Sequence, residues 1–370
     1  MRIAILGTRG IPANYGGFET FAEELAARLV TRGHVVTVYG RSHYVDRHRD
    51  THRGAQLVVL PTVQHKYLDT VVHTLISTLH AVTKRFDVAI VCNAANAVFC
   101  AGLRARGFGV VLNVNGIERK RRKWNVVGRG WYLLSERLAT WFAHAVVTDA
   151  RVIDAYYRAR YGAATTFIPY GCQVGRLAGT ATLERLGLAP DGYVLYVSRL
   201  EPENNAHAVI DAFERAALAG LKLVVVGDAP YAREYIASLH GMAGDEVLFT
   251  GAVYGQGYRE LQCHALAYVH ATEVGGTHPA LVEAMGCGNC VMVNDVPENR
   301  ETAGDAAIYF EARRPETLAA GLARLAAEPE LVSRYRARAL ARAHEHFSWE
   351  HVTDRYEALC RVLVEGEAAR

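Results

Sequence analysis

No stretch of this chain is both long and apolar. The longest unbroken runs, such as Val88–Val91 and Leu223–Val226, have the length of a strand and fall far short of the roughly 20 residues a bilayer span needs. The opening Ile3–Leu6 runs at once into Gly7, Thr8 and Arg9, without the apolar segment of a secretory signal, so a cytoplasmic location is expected, at most peripheral on the inner face of the plasma membrane. Cysteine is sparse: seven residues, an odd number, scattered over 370 positions exclude the dense disulfide framework of a small secreted domain. The lone Cys287-x-x-Cys290 has no second pair to complete a metal site and reads as small apolar residues at a helix end and a strand start. Charge of one sign is lacking too. Lys and Arg number 41 against 38 Asp and Glu, a net +3, which excludes a dedicated nucleic-acid binder and makes any basic function local. His43, His48 and His52 share a polar stretch with no ordered third ligand, so no metal is expected there.

What is present is alternation. A chain of this length with 51% hydrophobic residues has the material for two ordinary cores. Short β-branched runs at Ile3–Leu6, Val35–Tyr39, Leu57–Leu60, Val88–Cys92, Val110–Val114 and Val146–Thr148 read as strands. Between them lie helical patterns: Phe18, Phe21, Ala22, Leu25 and Leu29 fall on one face, and Leu75, Leu79 and Val82 repeat the spacing. Such βα alternation predicts covered parallel sheets. After Thr166–Ile168 the character changes over Cys172–Gly192, and a second series begins at Tyr193–Val197 and continues through Leu223–Val226, Val247–Phe249, Ala267–Val269 and Val291–Val293. The expected domains are therefore 1–172 and 173–349, both doubly wound, with their ligand crevice at the carboxyl ends of the strands. Phe347, Trp349, Val352 and Tyr356 give the helical tail an apolar face, and the helix of about 350–370 is expected to pack back on the first domain.

Three loops stand where such a fold binds anions. The first strand opens into Gly7-Thr8-Arg9-Gly10-Ile11-Pro12-Ala13-Asn14-Tyr15-Gly16-Gly17-Phe18-Glu19, where Gly16 and Gly17 lead into a helix whose free amides suit a diphosphate. The spacing is not Gly-x-Gly-x-x-Gly, which counts against a nicotinamide enzyme. In the second half Arg199 follows a strand in Val197-Ser198-Arg199-Leu200-Glu201-Pro202-Glu203-Asn204-Asn205. There a guanidinium can grip phosphate oxygens in pairs, although an ordinary ion pair with Glu201 or Glu203 is the plain alternative. Finally His270 to Met285 reads as strand, glycine turn and helix, with Glu283 in an otherwise apolar helix where it needs a partner such as a ribose hydroxyl. Between the two halves, Asn113-Val114-Asn115-Gly116-Ile117-Glu118-Arg119-Lys120-Arg121-Arg122-Lys123-Trp124 is a basic run with a Trp beside it, suited to anionic lipid headgroups or a lipid pyrophosphate. An RNA partner finds no recognised module to support it.

The Gly-Gly loop, the Arg199 segment and the Glu-Ala-Met helix together resemble the retaining family-4 glycosyltransferases of GT-B fold over essentially the whole chain. Within them, Leu6–Pro12, Tyr15–Glu19 and Val274-Gly275-Gly276-Thr277 look like the bacterial rhamnosyltransferases of capsule and cell-wall synthesis. The resemblance implies that Gly16 and Gly17 meet the donor diphosphate from the first domain. Arg199, Asn204, Asn205 and the amides of Gly275, Gly276 and Thr277 hold it from the second, Arg199 stabilising the leaving charge, and Glu283 binds the ribose. The base sits near Gly251 to Tyr254. On the acceptor side it implies Asn115, Glu118, Lys120, Arg121, Lys123 and Trp124, and a glycan or lipid-pyrophosphate acceptor. Three positions depart from the pattern: Gly275 stands where many members carry a Glu that touches the donor sugar, Asn204 where many carry Lys, and Asn115 where the rhamnosyltransferases usually carry Asp. A deoxysugar such as L-rhamnose, from dTDP-rhamnose, fits a site with less charge. The resemblance implies no cofactor, and no Asp-x-Asp is present for a metal-bridged diphosphate. A pyridoxal phosphorylase is disfavoured because Lys222, just before a strand, is ill placed for the cofactor, and an epimerase because no carboxylate and histidine pair is evident. A nucleotide-sugar-binding protein without turnover is the rival of another class.

Overall fold

The computed structural model describes every residue except 14, 15, 66, 67, 115, 121–123, 275, 369 and 370. The chain divides into two compact units, Met1–Tyr170 with Trp349–Arg370, and Gly171–Ser348. The division falls two residues before the sequence boundary of 172/173 and one before that of 349/350. The backbone gives the reason: Cys172 N–H donates to Phe347 O and Cys172 bridges to Ser348, which ties both ends of the segment into the second unit.

In the first unit, β1 (Arg2–Leu6), β2 (Val35–Arg41), β3 (Thr51–His52), β4 (Ala55–Leu60), β5 (Val88–Cys92), β6 (Gly109–Asn113), β7 (Ala145–Thr148) and β8 (Thr166–Phe167) form a sheet in the order 3-4-2-1-5-6-7-8. All pairs are parallel but β3 with β4. Alternation along β1 explains the core on each side. Ile3 and Ile5 turn toward Phe21, Leu25 and Leu29 of helix Gly17–Thr31, while Ala4 and Leu6 turn to the opposite face with Tyr132 and Tyr157. The second unit repeats the plan without the antiparallel edge. Here β9 (Tyr193–Val197), β10 (Lys222–Val226), β11 (Val247–Gly251), β12 (Ala267–His270), β13 (Val291–Asn294) and β14 (Ala307–Phe310) run parallel in the order 11-10-9-12-13-14. Val194 and Tyr196 line one core, Tyr193 and Leu195 the other. All seven cysteines are buried and unpaired, with Cys287 capping a helix and Cys290 preceding β13.

The last helix, Trp349–Ala368, belongs to the first unit. It buries Trp349, Val352, Tyr356 and Cys360 against helix Gly17–Thr31 and the sheet, with the Tyr356 ring 5.1 Å from that of Phe21 and its hydroxyl accepting from Asn113 Nδ2 at 2.8 Å. Phe347, read from sequence as part of the same face, closes the preceding helix and packs in the second unit.

Helix Asp69–Ala81 departs from the usual arrangement. Its helical period is as expected, yet the side it buries carries His73, Thr74, Ser77, Thr78 and Ala81, while Leu75 and Leu79 face outward, Leu79 at 60% exposure. Small side chains let the helix pack closely on its neighbours, as Thr78 Cγ2 does against Gly102 of helix Cys100–Ala105. His73 is fully buried, its Nε2 donating to Gly40 O at 3.0 Å. Burial first, and then the neighbouring Arg41 charge, hold its pKa down to about 4 against an ordinary 6.5. A histidine less basic folded than unfolded makes the unfolded state the one that takes up the proton, so stability falls as pH drops below about 6.5 and levels off below about 4. The loss attributable to His73 is about 3 kcal/mol. Urea unfolding at steps of pH checks it: the slope over this window is expected to flatten in His73→Asn, and an unchanged slope would remove the assignment.

Candidate functional site: the carboxyl ends of the strands

In the second unit the strand order reverses at β9, which pairs with β10 on one side and β12 on the other. Tyr196 lies opposite Val269, so the loops after Val197 and His270 emerge side by side. In doubly wound sheets this is where ligands bind. The loop after β9 carries Arg199, whose side chain is 39% exposed and whose Nη2 lies 3.9 Å from Glu201 Oε2. That distance marks a loose ion pair. Glu201 is buried and takes the Tyr231 hydroxyl on its other oxygen. The backbone beneath is tightly held. Arg199 O accepts from Asn204 Nδ2 and from Glu201 N–H, both at 2.7 Å, and Asn204 O in turn accepts from the Tyr196 hydroxyl at 2.7 Å. Asn205 Nδ2 donates to Ala271 O at 2.9 Å, and Glu273 N–H to Glu203 O at 3.2 Å, so the two loops are stitched to each other. The side-chain amides of Asn204 and Asn205 are thus used inside the unit, and both residues are buried.

Past β12, Gly276 and Thr277 are buried and lead through His278 into helix Pro279–Gly286, with Pro279 at its first position. Gly275 lies outside the described residues. Glu283 Oε2 accepts from the Tyr258 hydroxyl at 2.7 Å, and that hydroxyl accepts from Gln262 Nε2 at 2.9 Å. Burial, reinforced by the Glu283 charge, raises the Tyr258 pKa well above the usual range, so it remains a donor and orients the carboxylate. Gly251, at the end of β11, takes a left-handed φ of +69°, and Tyr254 beyond it is exposed. His270 is buried, and burial holds its pKa at about 3, so the ring stays neutral.

In the first unit Gly16 caps helix Gly17–Thr31 with extended backbone, φ −167°, a conformation open to any residue. A Cβ there would meet nothing nearer than Glu19 Oε2 at 3.4 Å. Neither backbone angle nor crowding among the described residues demands glycine at 16. Glu19 is buried, accepts the Arg9 N–H at 2.9 Å, and has a pKa raised chiefly by burial. Of the acceptor-side candidates, Asn115, Arg121 and Lys123 and the Lys120 side chain lie outside the described residues. Glu118 begins a short 3-10 turn, Glu118–Lys120, and accepts from Trp124 Nε1 at 3.4 Å. Trp124 is partly buried, its ring 5.0 Å from that of Tyr132. It packs on the core rather than standing out beside the basic run.

Sequence reasoning assigned neither Tyr258 nor His270. Nothing links Tyr258 to Glu283 along the chain, since they sit on different helices. The position of His270 at the end of a strand beside the Arg199 strand was the available signal.

Residues 16–171 match the glycosyl transferase 4-like domain and residues 184–342 the glycosyl transferases group 1. O-antigen chain mannosyltransferase B of Escherichia coli is 24% identical over 176 residues, 46% of each chain, so the match spans about half the length of that relative. Sucrose-phosphate synthase of Thermosynechococcus elongatus superposes over 99% of both chains with a TM-score of 0.85 at 18% identity. HepE of Anabaena, in complex with UDP-glucose, superposes over 100% of both with a TM-score of 0.78 at 17% identity. With one family match on each Rossmann-like unit and a fold shared along its whole length with these structures, the chain belongs to the group 1 glycosyl transferases and has the GT-B fold.

Proposed function

We propose that this chain transfers a sugar from a nucleoside-diphosphate sugar to a lipid-linked or oligosaccharide acceptor in bacterial polysaccharide synthesis, with retention at the anomeric carbon and without metal. The observation that carries the reading is the placement of Arg199 on a rigidly held loop at the strand-order reversal, beside the turn that opens helix Pro279–Gly286. The bond from sugar C1 to the diphosphate breaks as charge builds on the leaving oxygen, and a fixed guanidinium and helix-end amides stabilise that charge. The acceptor oxygen joins C1 on the same face, and its proton passes to the leaving phosphate. Asn204 and Asn205 act by positioning the Arg199 loop; Glu283, aimed by Tyr258, takes the ribose hydroxyls; Gly251 to Tyr254 border the base; Gly16 and Gly17 admit the diphosphate. The acceptor is read from the 115–124 segment, with the protein at the cytoplasmic face of an anionic membrane.

L-Rhamnose from dTDP-rhamnose is the donor this reading favours, on the pattern of Leu6–Glu19 and 274–277 and on the charge missing at 204 and 275. A second donor reading, a UDP- or GDP-hexose, is favoured by the mannosyltransferase relative and by the UDP-glucose bound to HepE. Binding and hydrolysis with dTDP-rhamnose, UDP-glucose, UDP-galactose, UDP-N-acetylglucosamine and GDP-mannose, each with and without EDTA, separates them. Selective, EDTA-insensitive use of dTDP-rhamnose is expected. Preference for a UDP- or GDP-sugar discards the donor, and binding without turnover with any acceptor points to a non-catalytic nucleotide-sugar protein.

A further inference from the structure

Helix Val126–Phe142 shows the same inversion as helix Asp69–Ala81. Its buried side carries Ser135 and Glu136 beside Tyr132 and Ala139, and Glu136 is satisfied there by Arg119 Nε at 3.1 Å and the hydroxyls of Tyr156 and Tyr161 at 2.7 and 2.8 Å. Its outward side carries Val126 at 86% exposure, Val127 at 80% and Trp141 at 54%, with Leu133 and Leu134 between them. Positions 126, 130, 133, 134, 137 and 141 recur at helical spacing, so these groups form one stripe. The carboxyl ends of the two inverted helices are both bonded by the end of helix Cys100–Ala105: Arg104 Nη1 donates to Trp141 O at 3.1 Å and Arg106 Nε, at its cap, to Val82 O at 3.0 Å. A water-facing surface would carry the polar side chains; here they are turned inward and Leu, Val and Trp are left out.

The charge around this face decides what covers it. In sequence, residues 61–135 carry eleven Lys and Arg against three Asp and Glu, an excess of eight in a chain whose whole net charge is +3, and among the described residues of that stretch Lys84, Arg85, Arg104, Arg106 and Arg129 are exposed. All three acids are engaged: Asp69 with Arg41, Asp87 with the Arg2 N–H, and Glu118 with Trp124 Nε1. Arg137 lies over the Trp141 ring at 4.8 Å. No helix of the described residues is long and apolar enough to cross a membrane, so such a face seats on a bilayer and does not enter it as a span. We propose that the outward faces of helices Asp69–Ala81 and Val126–Phe142 form the surface by which this protein docks on an anionic lipid bilayer. Leu79, Leu134 and Trp141 reach the acyl boundary, and the surrounding Arg and Lys meet the headgroups. This rests on the reading of a membrane-borne acceptor and moves the lipid-facing aromatic from Trp124 to Trp141.

The test is co-sedimentation of the full chain with phosphatidylcholine vesicles with and without phosphatidylglycerol, at low and high salt, together with tryptophan emission. Binding to the phosphatidylglycerol vesicles, weakened by salt, is expected, with a blue shift that Trp141→Phe removes. Leu79→Glu and Leu134→Glu each lower the affinity about tenfold or more, the worth of burying one such side chain. Arg104→Gln with Arg137→Gln flattens the salt dependence. All five substituted positions are exposed and lie outside the residues assigned to the donor, so donor hydrolysis stays as in the wild type, and the melting temperature moves only where Arg104→Gln gives up its bond to Trp141 O. Loss of hydrolysis with vesicle binding intact would strike the transferase reading and leave this one standing. Wild-type binding by both glutamate variants would overturn the proposal, and so would a lipid-free dimer that Leu134→Glu converts to monomer, because the face would then be covered by a second copy.

Discussion

Replacing Arg199 by Ala is expected to lower turnover with whichever nucleotide sugar the wild type uses by roughly two to four orders of magnitude, the usual effect of removing a preorganised group that meets developing charge. The fold is expected to survive. The side chain is 39% exposed, its contact with Glu201 is a long 3.9 Å, and the loop is held by its carbonyl, which Asn204 and the Glu201 amide engage independently of what the side chain is. The melting temperature should therefore stay within a few degrees. Arg199→Lys keeps the charge but loses the two-pronged geometry, and an intermediate rate is expected. Steady-state kinetics beside thermal melts separate the cases: near-normal activity in Arg199→Ala would leave only the plain ion pair with Glu201, and a lost fold would make the residue structural.

Gly227→Ala is expected to be damaging for a different reason. Gly227 follows β10 with φ +141°, a conformation side chains rarely adopt, and a Cβ built there would stand 1.8 Å from Ser198 O. The neighbour is backbone, and it is the backbone that leads into Arg199. Ser198 N–H is committed to Val226 O and Gly227 N–H to Gly251 O at 2.9 Å, so neither strand end can yield alone. A cost of about 3 kcal/mol or more is expected from backbone strain and overlap together. For a unit of this size that lowers the melting temperature by about 6–12 °C. Because the clash displaces Ser198, activity measured well below the melt is expected to fall as well. Equal stability of variant and wild type would mean that the loop can move aside, and would weaken the view that Arg199 is rigidly presented.

Much of this architecture is legible in the residues because parallel strands buried on both faces must be apolar throughout. β5, Val88–Cys92, and β9, Tyr193–Val197, were read to the residue for that reason. The two strands missed are those where that condition fails. β3 is only Thr51–His52 at a polar edge, and β14, Ala307–Phe310, is a short edge strand half buried in its middle. Period could show that Leu75 and Leu79 share a stripe, yet period says nothing about which stripe faces the core. That depends on the fit of the opposite side, which in one inverted helix is the side with Thr74, Ser77, Thr78 and Ala81 and in the other the side with Tyr132, Ser135, Glu136 and Ala139. At the site, strand ends and glycine turns pointed to Arg199, Gly276 and Thr277. The internal bonding of Asn204 and Asn205 could not be read, because it depends on where Arg199 O and Ala271 O come to lie.

The helix Trp349–Ala368 completes the first unit from the far end of the chain, and this has a consequence for how the protein is made. While the ribosome works through residues 171 to 348, the apolar groove beside Phe21, Leu25 and Leu29 has no cover, and Asn113 lacks its Tyr356 hydroxyl. The unit that starts first is thus the one that finishes last. A nascent or truncated chain ending before Trp349 presents a sheet with all its strands but one face uncovered to chaperones and to other chains, whereas the later unit has its strands and helices in hand by Ser348.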